Sequence, residues 1–132
     1  MSTNAVKPLN ATGSIKARIE ELNIDFSSSG VSFASQPLPK IQGYSLGEEG
    51  FQSVMIGAYG VTGPGNYSVD LDWLSSVTIS FNFAGLPFSD LSRSGTIFFE
   101  ASEQGKKAKG TFDVMLFSSG HRVQGTFDVV SD

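Results

Sequence analysis

Residues 95–129 contain three copies of one pattern, spaced fifteen residues apart: Gly95-Thr96-Ile97-Phe98-Phe99, Gly110-Thr111-Phe112-Asp113-Val114 and Gly125-Thr126-Phe127-Asp128-Val129. The third and fifth residues of each copy are apolar, and side chains alternate between the two faces of a β-strand, so these residues share one face. Before the last two glycines, alternate residues are charged or carry an amide and fall on the opposite face: Lys107 and Lys109, and Arg122 and Gln124. The pattern predicts a meander of three strands with these residues buried together: Ile97, Phe99, Phe112, Val114, Phe127 and Val129.

The composition limits the classes of protein to which the chain can belong. It has 132 residues, a formal net charge of −4 and no cysteine. The length suits one domain without disulfides, and the absence of cysteine excludes thiolate metal sites and cysteine nucleophiles. The basic cluster Lys106, Lys107 and Lys109 is too short to follow a nucleic-acid backbone, and no apolar run approaches the ~20 residues of a membrane span. We therefore expect no nucleic-acid partner and no membrane span.

The rest of the chain is also predicted to be β-structure. Residues 1–12 are polar and indicate a flexible N-terminal arm, and residues 13–132 indicate a single domain. From Ser14 to Phe26 the apolar residues fit either one helical face or two strand registers that slip at Glu20-Glu21. Because β-branched residues recur, strands with a turn or bulge at the slip are favoured. The expected fold class is all-β, a single antiparallel β-sandwich or β-barrel of about seven to nine strands that ends in the three-strand meander.

The final strand, Val123 to Val130, carries little charge to protect an exposed edge. An unpaired edge strand presents free backbone donors and acceptors, which proteins normally cover or pair. The strand either pairs with an early strand such as Ile15 to Ile19, which gives a monomer, or pairs with a second copy, which gives a homodimer. The internal pairing is favoured.

One motif is typical of catalysis. Gly43-Tyr44-Ser45-Leu46-Gly47 matches the G-x-S-x-G nucleophile elbow of α/β-hydrolases, and His121 follows it in the chain. An elbow needs a strand before the serine and a helix after it, whereas Pro37 and Pro39 precede Ser45 and a Gly-Glu-Glu-Gly run follows it. His121 is expected at the turn between the last two strands. Ser45 remains a remote candidate nucleophile, and the chain is predicted not to be an enzyme.

Neither a metal nor a cofactor is predicted. Asp70 and Asp72 lie two residues apart, and Asp113 and Asp128 occupy equivalent positions of the repeat. In a sheet with one face exposed to solvent, such carboxylates are interpreted as solvated side chains. No calcium-loop run is present, one histidine cannot build a multi-histidine site, and the glycines between residues 57 and 65 lack the Lys-Ser/Thr of a phosphate loop.

Four aromatic residues are the candidate ligand-binding residues. They are Tyr44, Tyr59, Tyr67 and Trp73, which together could provide a platform for stacking sugars. Aromatic residues at a period of two are also typical of core positions and of cross-strand pairs.

The last third of the chain resembles a known group of proteins. The segments that carry the resemblance are Ser94-Gly95-Thr96-Ile97, Lys107 to Asp113, Val123 to Val129 and the earlier Gly65-Asn66-Tyr67-Ser68. They are similar to the C-terminal pattern of small, uncharacterised bacterial envelope β-proteins, a group that often carries a lipid-anchored cysteine. The resemblance implies a β-fold and no catalytic residue.

These observations favour a non-enzymatic module that acts through its surface on a protein, a glycan or a second copy of itself. The alternative is a small-molecule carrier with an avidin-like or lipocalin-like barrel, whose interior holds one ligand. A cavity lined by Phe and Tyr would favour the carrier, and a filled core would favour the surface module. The first residues lack the apolar segment of a secretory signal, so we expect either a protein that stays inside the cell or one from which a leader has been removed.

Overall fold

The computed structural model describes residues 11–34, 40–47, 50–58, 61–70, 77–83, 86, 89–103 and 106–131. Within them lie ten strands and a single 3-10 turn at Glu20–Leu22. The strands are β1 (Ala11–Ile19), β2 (Ile24–Ser27), β3 (Gly30–Ala34), β4 (Lys40–Gly47), β5 (Gly50–Ala58), β6 (Gly65–Asp70), β7 (Val77–Asn82), β8 (Asp90–Glu103), β9 (Lys107–Leu116) and β10 (Arg122–Ser131).

All ten strands belong to one curled sheet that forms a half-barrel, in the order β2-β1-β10-β9-β8-β6-β7-β5-β4-β3. Every pairing is antiparallel except the contact between β6 and β7, which is parallel at Val69 and Val77. The all-β class is confirmed, and the described strands number ten where about seven to nine were expected. β8, β9 and β10 are consecutive neighbours, as the repeat predicts.

The segment with the ambiguous periodicity consists of strands. β1 and β2 pair antiparallel, and the 3-10 turn between them lies at the predicted slip. Asn23 ends the turn in the left-handed conformation, with φ of 53°, which asparagine tolerates better than most residues. β1 begins at Ala11, so residues 11 and 12 belong to the sheet, and the remainder of the predicted arm lies outside the described residues.

The two ends of the curled sheet meet at Ser28 and Ser29. The amide of Ser28 donates to the carbonyl of Ile15 on β1 at 3.0 Å, and the amide of Ser29 donates to the carbonyl of Tyr44 on β4 at 2.8 Å. The Ser28 hydroxyl also accepts the Ile15 N–H at 2.8 Å. β2 and β3 therefore form a single bent run of chain that joins β1 to β4.

The predicted core of the meander is confirmed. Its six apolar residues are all buried, with exposures between 0% and 3%. β10 pairs along its length with β1, and Ile15 lies opposite Phe127. The favoured internal pairing of the final strand is therefore present.

Two of the three repeat glycines, Gly110 and Gly125, make room for aromatic rings. Gly110 lies opposite Phe99 on one side and Phe127 on the other, and these two rings contact each other with centroids 5.2 Å apart. Gly125 lies opposite Phe112 in the same way. A ring that covers a cross-strand glycine restores the packing that the missing side chain would leave empty.

The sheet forks along β8. At its start β8 pairs with β7, where Phe81 lies opposite Asp90, and farther along it pairs with β6. At the fork the buried hydroxyl of Ser92 accepts the N–H of Ile79 at 2.9 Å. Because β7 and β8 separate at the fork, the hydroxyl takes the place of a backbone carbonyl as the acceptor of this N–H.

Candidate ligand-binding groove

The outward side chains of six neighbouring strands form a continuous polar face. Across the sheet these strands are β2, β1, β10, β9, β8 and β6. Their registers align side chains into rows that cross the strands. One row, called the Phe98 row, consists of Asn66, Phe98, Thr111, Thr126, Lys16 and Ser27. The neighbouring row, called the Asp113 row, consists of Ser68, Thr96, Asp113, Gln124, Arg18 and Asp25.

A groove of about 840 Å³ follows these two rows. Its lining includes residues of all six strands, from Asp25 and Ser27 on β2 to Asn66 on β6. Five strand spacings separate β2 from β6, so the groove spans roughly 24 Å across the sheet. A second hollow of about 320 Å³ shares part of this lining and continues toward Glu100 and Asp128.

Phe98 is the exposed one of the three phenylalanines that line the groove, since Phe26 and Phe112 are buried. It is 41% exposed, whereas its neighbours Ile97 and Phe99 are buried. In the sequence, Phe98 occupies the polar phase of the first repeat, at the position that Asp113 and Asp128 fill in the other copies. The signal available in the sequence was this aromatic residue at a position that polar side chains occupy in the other copies of the repeat.

An ion pair and a hydrogen bond hold Arg18 at the β2 end of the groove. Arg18 donates from Nη1 to Asp25 Oδ2 at 2.7 Å and from Nη2 to Asn23 Oδ1 at 2.8 Å. Both contacts are exposed to solvent, so their contribution to stability is small. They fix the guanidinium and the carboxylate in a defined geometry along the groove.

A second arginine holds the central carboxylate. Arg122 donates from Nε to Asp113 Oδ1 at 2.8 Å and from Nη2 to Asp113 Oδ2. The bidentate pair holds the pKa of Asp113 below its usual value, against the opposing effect of partial burial. Asp113 is therefore ionised at neutral pH, with further acceptor capacity on its two oxygens.

A small cavity lies between buried core residues and the charged side chains of Lys40, Glu103 and Lys107. The cavity next to Phe33, Ile41 and Phe99 measures about 30 Å³. That volume suits a single water molecule, and a typical small-molecule pocket is at least about ten times larger.

Of the four predicted aromatic residues, Tyr59 and Trp73 lie outside the described residues. Tyr44 lies on the outer side of β4 and stacks on Phe51 with centroids 6.3 Å apart. Tyr67 shares the inward phase of β6 with buried Val69, and its ring meets that of Phe99 edge-on at 5.7 Å. The structure does not bring Tyr44 and Tyr67 together. Their side chains lie on opposite faces of the sheet, and β7 and β5 lie between their two strands.

The Tyr67 hydroxyl is occupied by the loop that precedes β6. It donates to the carbonyl of Gly63 at 2.6 Å and accepts the amides of Thr62 and Gly63 at 3.2 Å each. Burial alone would raise the pKa of Tyr67, but these hydrogen bonds outweigh it and lower the pKa. Tyr67 thus anchors a loop.

The residues of the possible hydrolase motif lie in a β-hairpin. Ser45 pairs with Gln52, and Gly47 pairs with Gly50, so β4 is followed directly by another strand. His121 lies between β9 and β10, with its Nδ1 3.4 Å from Glu21 Oε1. Among the described residues, no group of three or more His, Asp or Glu side chains is arranged to hold a metal ion.

Two clusters of exposed apolar side chains lie outside the groove. Leu46 and Phe51 face each other across the β4–β5 hairpin and are 76% and 50% exposed. Leu91, Met115 and Phe117 lie where β8 begins and β9 ends, and Phe117 is 54% exposed. Phe117, which directly follows the last residue of β9, is thus an exposed phenyl group outside the groove.

Comparisons with family models, with curated proteins and with solved structures found no match to this chain. In the described part of the chain, none of the helical structure has the length and hydrophobicity needed to cross a bilayer.

Proposed function

We propose that this chain is a non-catalytic carbohydrate-binding module and that its ligand lies in the groove along the Phe98 row. The observation that carries the proposal is the lining of the groove. Hydroxyl, amide and charged side chains surround one exposed phenyl ring in a hollow of about 840 Å³. Pockets for drug-like molecules are lined mainly by apolar groups, so a lining of this kind favours a ligand rich in polar groups.

Sugars match this combination of groups. Each sugar hydroxyl both donates and accepts hydrogen bonds, and the groove offers both functions through its threonines, Asn66, Gln124 and Asp113. A pyranose ring also has a face of C–H groups, which packs against the face of an aromatic ring. Phe98 supplies such a ring, bordered by Asn66 and Thr111 in the same row.

The carrier alternative has less support. Its ligand would occupy the interior, and the cavity that the described residues line beside Phe33 and Phe99 measures about 30 Å³. The groove on the polar face has more than ten times that volume. A site on the outer face is therefore the better candidate.

The chemistry of the groove supports binding without catalysis. Glycoside hydrolysis uses a pair of carboxyl groups, one of which keeps a raised pKa and donates a proton. Asp25 and Asp113 line the groove, and each is held by an arginine. The pKa of Asp113 is lowered, which is the wrong direction for a general acid.

The test is a glycan array probed with the labelled protein and with two matched variants. Phe98→Ala removes the ring in the groove, and Phe117→Ala removes an exposed ring outside it. We expect Phe98→Ala to weaken binding about tenfold, which corresponds to about 1.4 kcal/mol, and Phe117→Ala to leave it unchanged.

Two results would contradict the proposal. One is a wild-type protein that binds no glycan of the array, and the other is equal binding by the two variants. A parallel thermal-shift screen with apolar ligands tests the carrier alternative, which would gain support from a large stabilisation that Phe98→Ala does not remove.

A further inference from the structure

We infer that the ligand of the groove is an uncharged, linear polysaccharide that lies along the Phe98 row and crosses the strands. This inference rests on the proposed function and adds to it the charge class and the direction of the ligand. Two observations carry it, the balance of charges along the groove and the alignment of its side chains.

The charges along the groove cancel. The side chains that line the groove and its continuation, together with the arginine that holds Asp113, comprise four cations and four anions: Lys16, Arg18, Lys109, Arg122, Asp25, Glu100, Asp113 and Asp128. The whole chain carries a net charge of −4, so this face is less acidic than the protein as a whole.

Six of these eight charges are already in ion pairs. Arg18 contacts Asp25, Lys109 contacts Glu100 at 3.2 Å, and Arg122 contacts Asp113. The remaining two are near each other in the register, since Asp128 lies opposite Ser14 and Lys16 follows Ser14 on the same face of β1. An acidic ligand would have to compete with these carboxylates for the cations, whereas a neutral ligand uses the donors and acceptors that the pairs leave open.

The alignment of the side chains in the Phe98 row sets the direction of the ligand. Successive members of the Phe98 row come from adjacent strands, so they follow one another at about 4.8 Å across the sheet. From Phe98 to Lys16 there are three such steps, or roughly 14 Å, with Thr111 and Thr126 between them. Along the strands the groove and its continuation cover three rows of outward side chains, or roughly 14 Å, whereas across the sheet the groove spans six strands, or roughly 24 Å. The longer dimension therefore accommodates a chain of sugar rings that crosses the strands.

The first experiment compares neutral with acidic carbohydrates by isothermal titration calorimetry. The neutral probes are oligosaccharides of xylan, mannan, amylose and mixed-linkage β-glucan, and the acidic probes are oligogalacturonate, alginate oligomers and heparin fragments. We expect binding to a neutral probe, with a Kd that changes less than about twofold between roughly 50 and 500 mM NaCl because no net charge is neutralised.

The second experiment tests the direction. Thr126→Trp places an indole in the Phe98 row two strands away from Phe98, and Thr12→Trp places one at an exposed position of β1 outside the groove. With the neutral probe that binds, Thr126→Trp should weaken the hexasaccharide at least tenfold and the disaccharide less than twofold, whereas Thr12→Trp should change neither. Circular dichroism verifies that both variants fold.

The outcomes separate this inference from the proposed function. Preferential binding of an acidic probe, with a Kd that rises tenfold or more with salt, overturns the neutral ligand but leaves the carbohydrate module in place. Equal effects of Thr126→Trp on the disaccharide and the hexasaccharide overturn the crossing direction. Failure of the wild type to bind any of the probes contradicts the proposed function and this inference together.

Discussion

Replacing Gly110 by alanine tests why the repeat contains glycine. A methyl group at this position would overlap the carbonyl oxygen of Phe98 on the adjacent strand and lie 2.9 Å from the ring edge of Phe127. The ring belongs to a tightly packed pair with Phe99, and the carbonyl belongs to the backbone of β8, so neither moves aside without disturbing the sheet. Gly63 provides the control, because a methyl group there meets no atom within 4 Å and its backbone needs no left-handed conformation.

The expected magnitude follows from two opposing effects. Overpacking typically costs about 1–3 kcal/mol, and a clash with backbone belongs at the upper end of that range. The lower conformational entropy of the unfolded alanine variant offsets about 0.4–1 kcal/mol. Gly110→Ala should therefore lower the free energy of unfolding by about 2 kcal/mol, whereas Gly63→Ala should leave it unchanged or raise it by up to about 1 kcal/mol.

Urea denaturation followed by circular dichroism measures both variants, with the free energy taken from linear extrapolation. A loss of about 2 kcal/mol is a large part of the total stability of a domain of this size, and it should lower the Tm by several degrees. If Gly110→Ala proves as stable as the wild type, the packing of aromatic rings over Gly110 and Gly125 is wrong. A loss in Gly63→Ala equal to that in Gly110→Ala would point instead to a general intolerance of added side chains.

Two further predictions concern the fork and the turn that follows β9. Ser92→Ala leaves the buried N–H of Ile79 without its acceptor, so we expect a loss of about 1–3 kcal/mol in urea denaturation, and Ser92→Thr, which keeps a hydroxyl, should be less damaging. Asp90 accepts the amides of Ser118 and Ser119 at 2.9 and 3.1 Å; burial alone would raise its pKa, but these amides outweigh burial and lower it. Because the pKa is lower in the folded state, Asp90 contributes stability that is complete above its unfolded pKa of about 3.9 and is lost as the pH falls through the folded value. The stability of Asp90→Asn should therefore fall less steeply than that of the wild type below about pH 4. If the stabilities of the two proteins fall equally steeply with decreasing pH, this role of Asp90 is refuted.

The sequence predicts the strands and their buried faces because both depend on short-range patterns. The alternation around Ile97, Phe112 and Phe127 has a period of two and identifies the inward side without knowledge of the neighbours. The need to cover the edge of the final strand likewise pointed to β1 as its partner.

The cross-strand registers could not be obtained in this way. The position of Phe98 beside Asn66 depends on the insertion of β6 between β8 and β7, which no local pattern encodes. Tyr67 satisfies the same alternation whether its ring meets a ligand or Phe99, and only the three-dimensional arrangement distinguishes the two. The groove was missed for the same reason, because its rows are built from residues that are far apart in the chain.

The pairing of β1 with β10 makes the assembly of the groove a late event in folding. The nearest partners in this pair, Arg18 and Gln124, are 106 residues apart, whereas Met115 and Arg122 in the β9–β10 pair are 7 apart. The loop-closure entropy grows as the logarithm of the separation, and its cost is about 4 kcal/mol for the first pair and about 2 kcal/mol for the second. The meander can therefore form early, with its threonines already in line, while Lys16 and Arg18 arrive only when β1 docks. A partly folded chain would present the Phe98 side of the groove without the opposite side, so the binding of a long ligand proposed above would require the completed sheet.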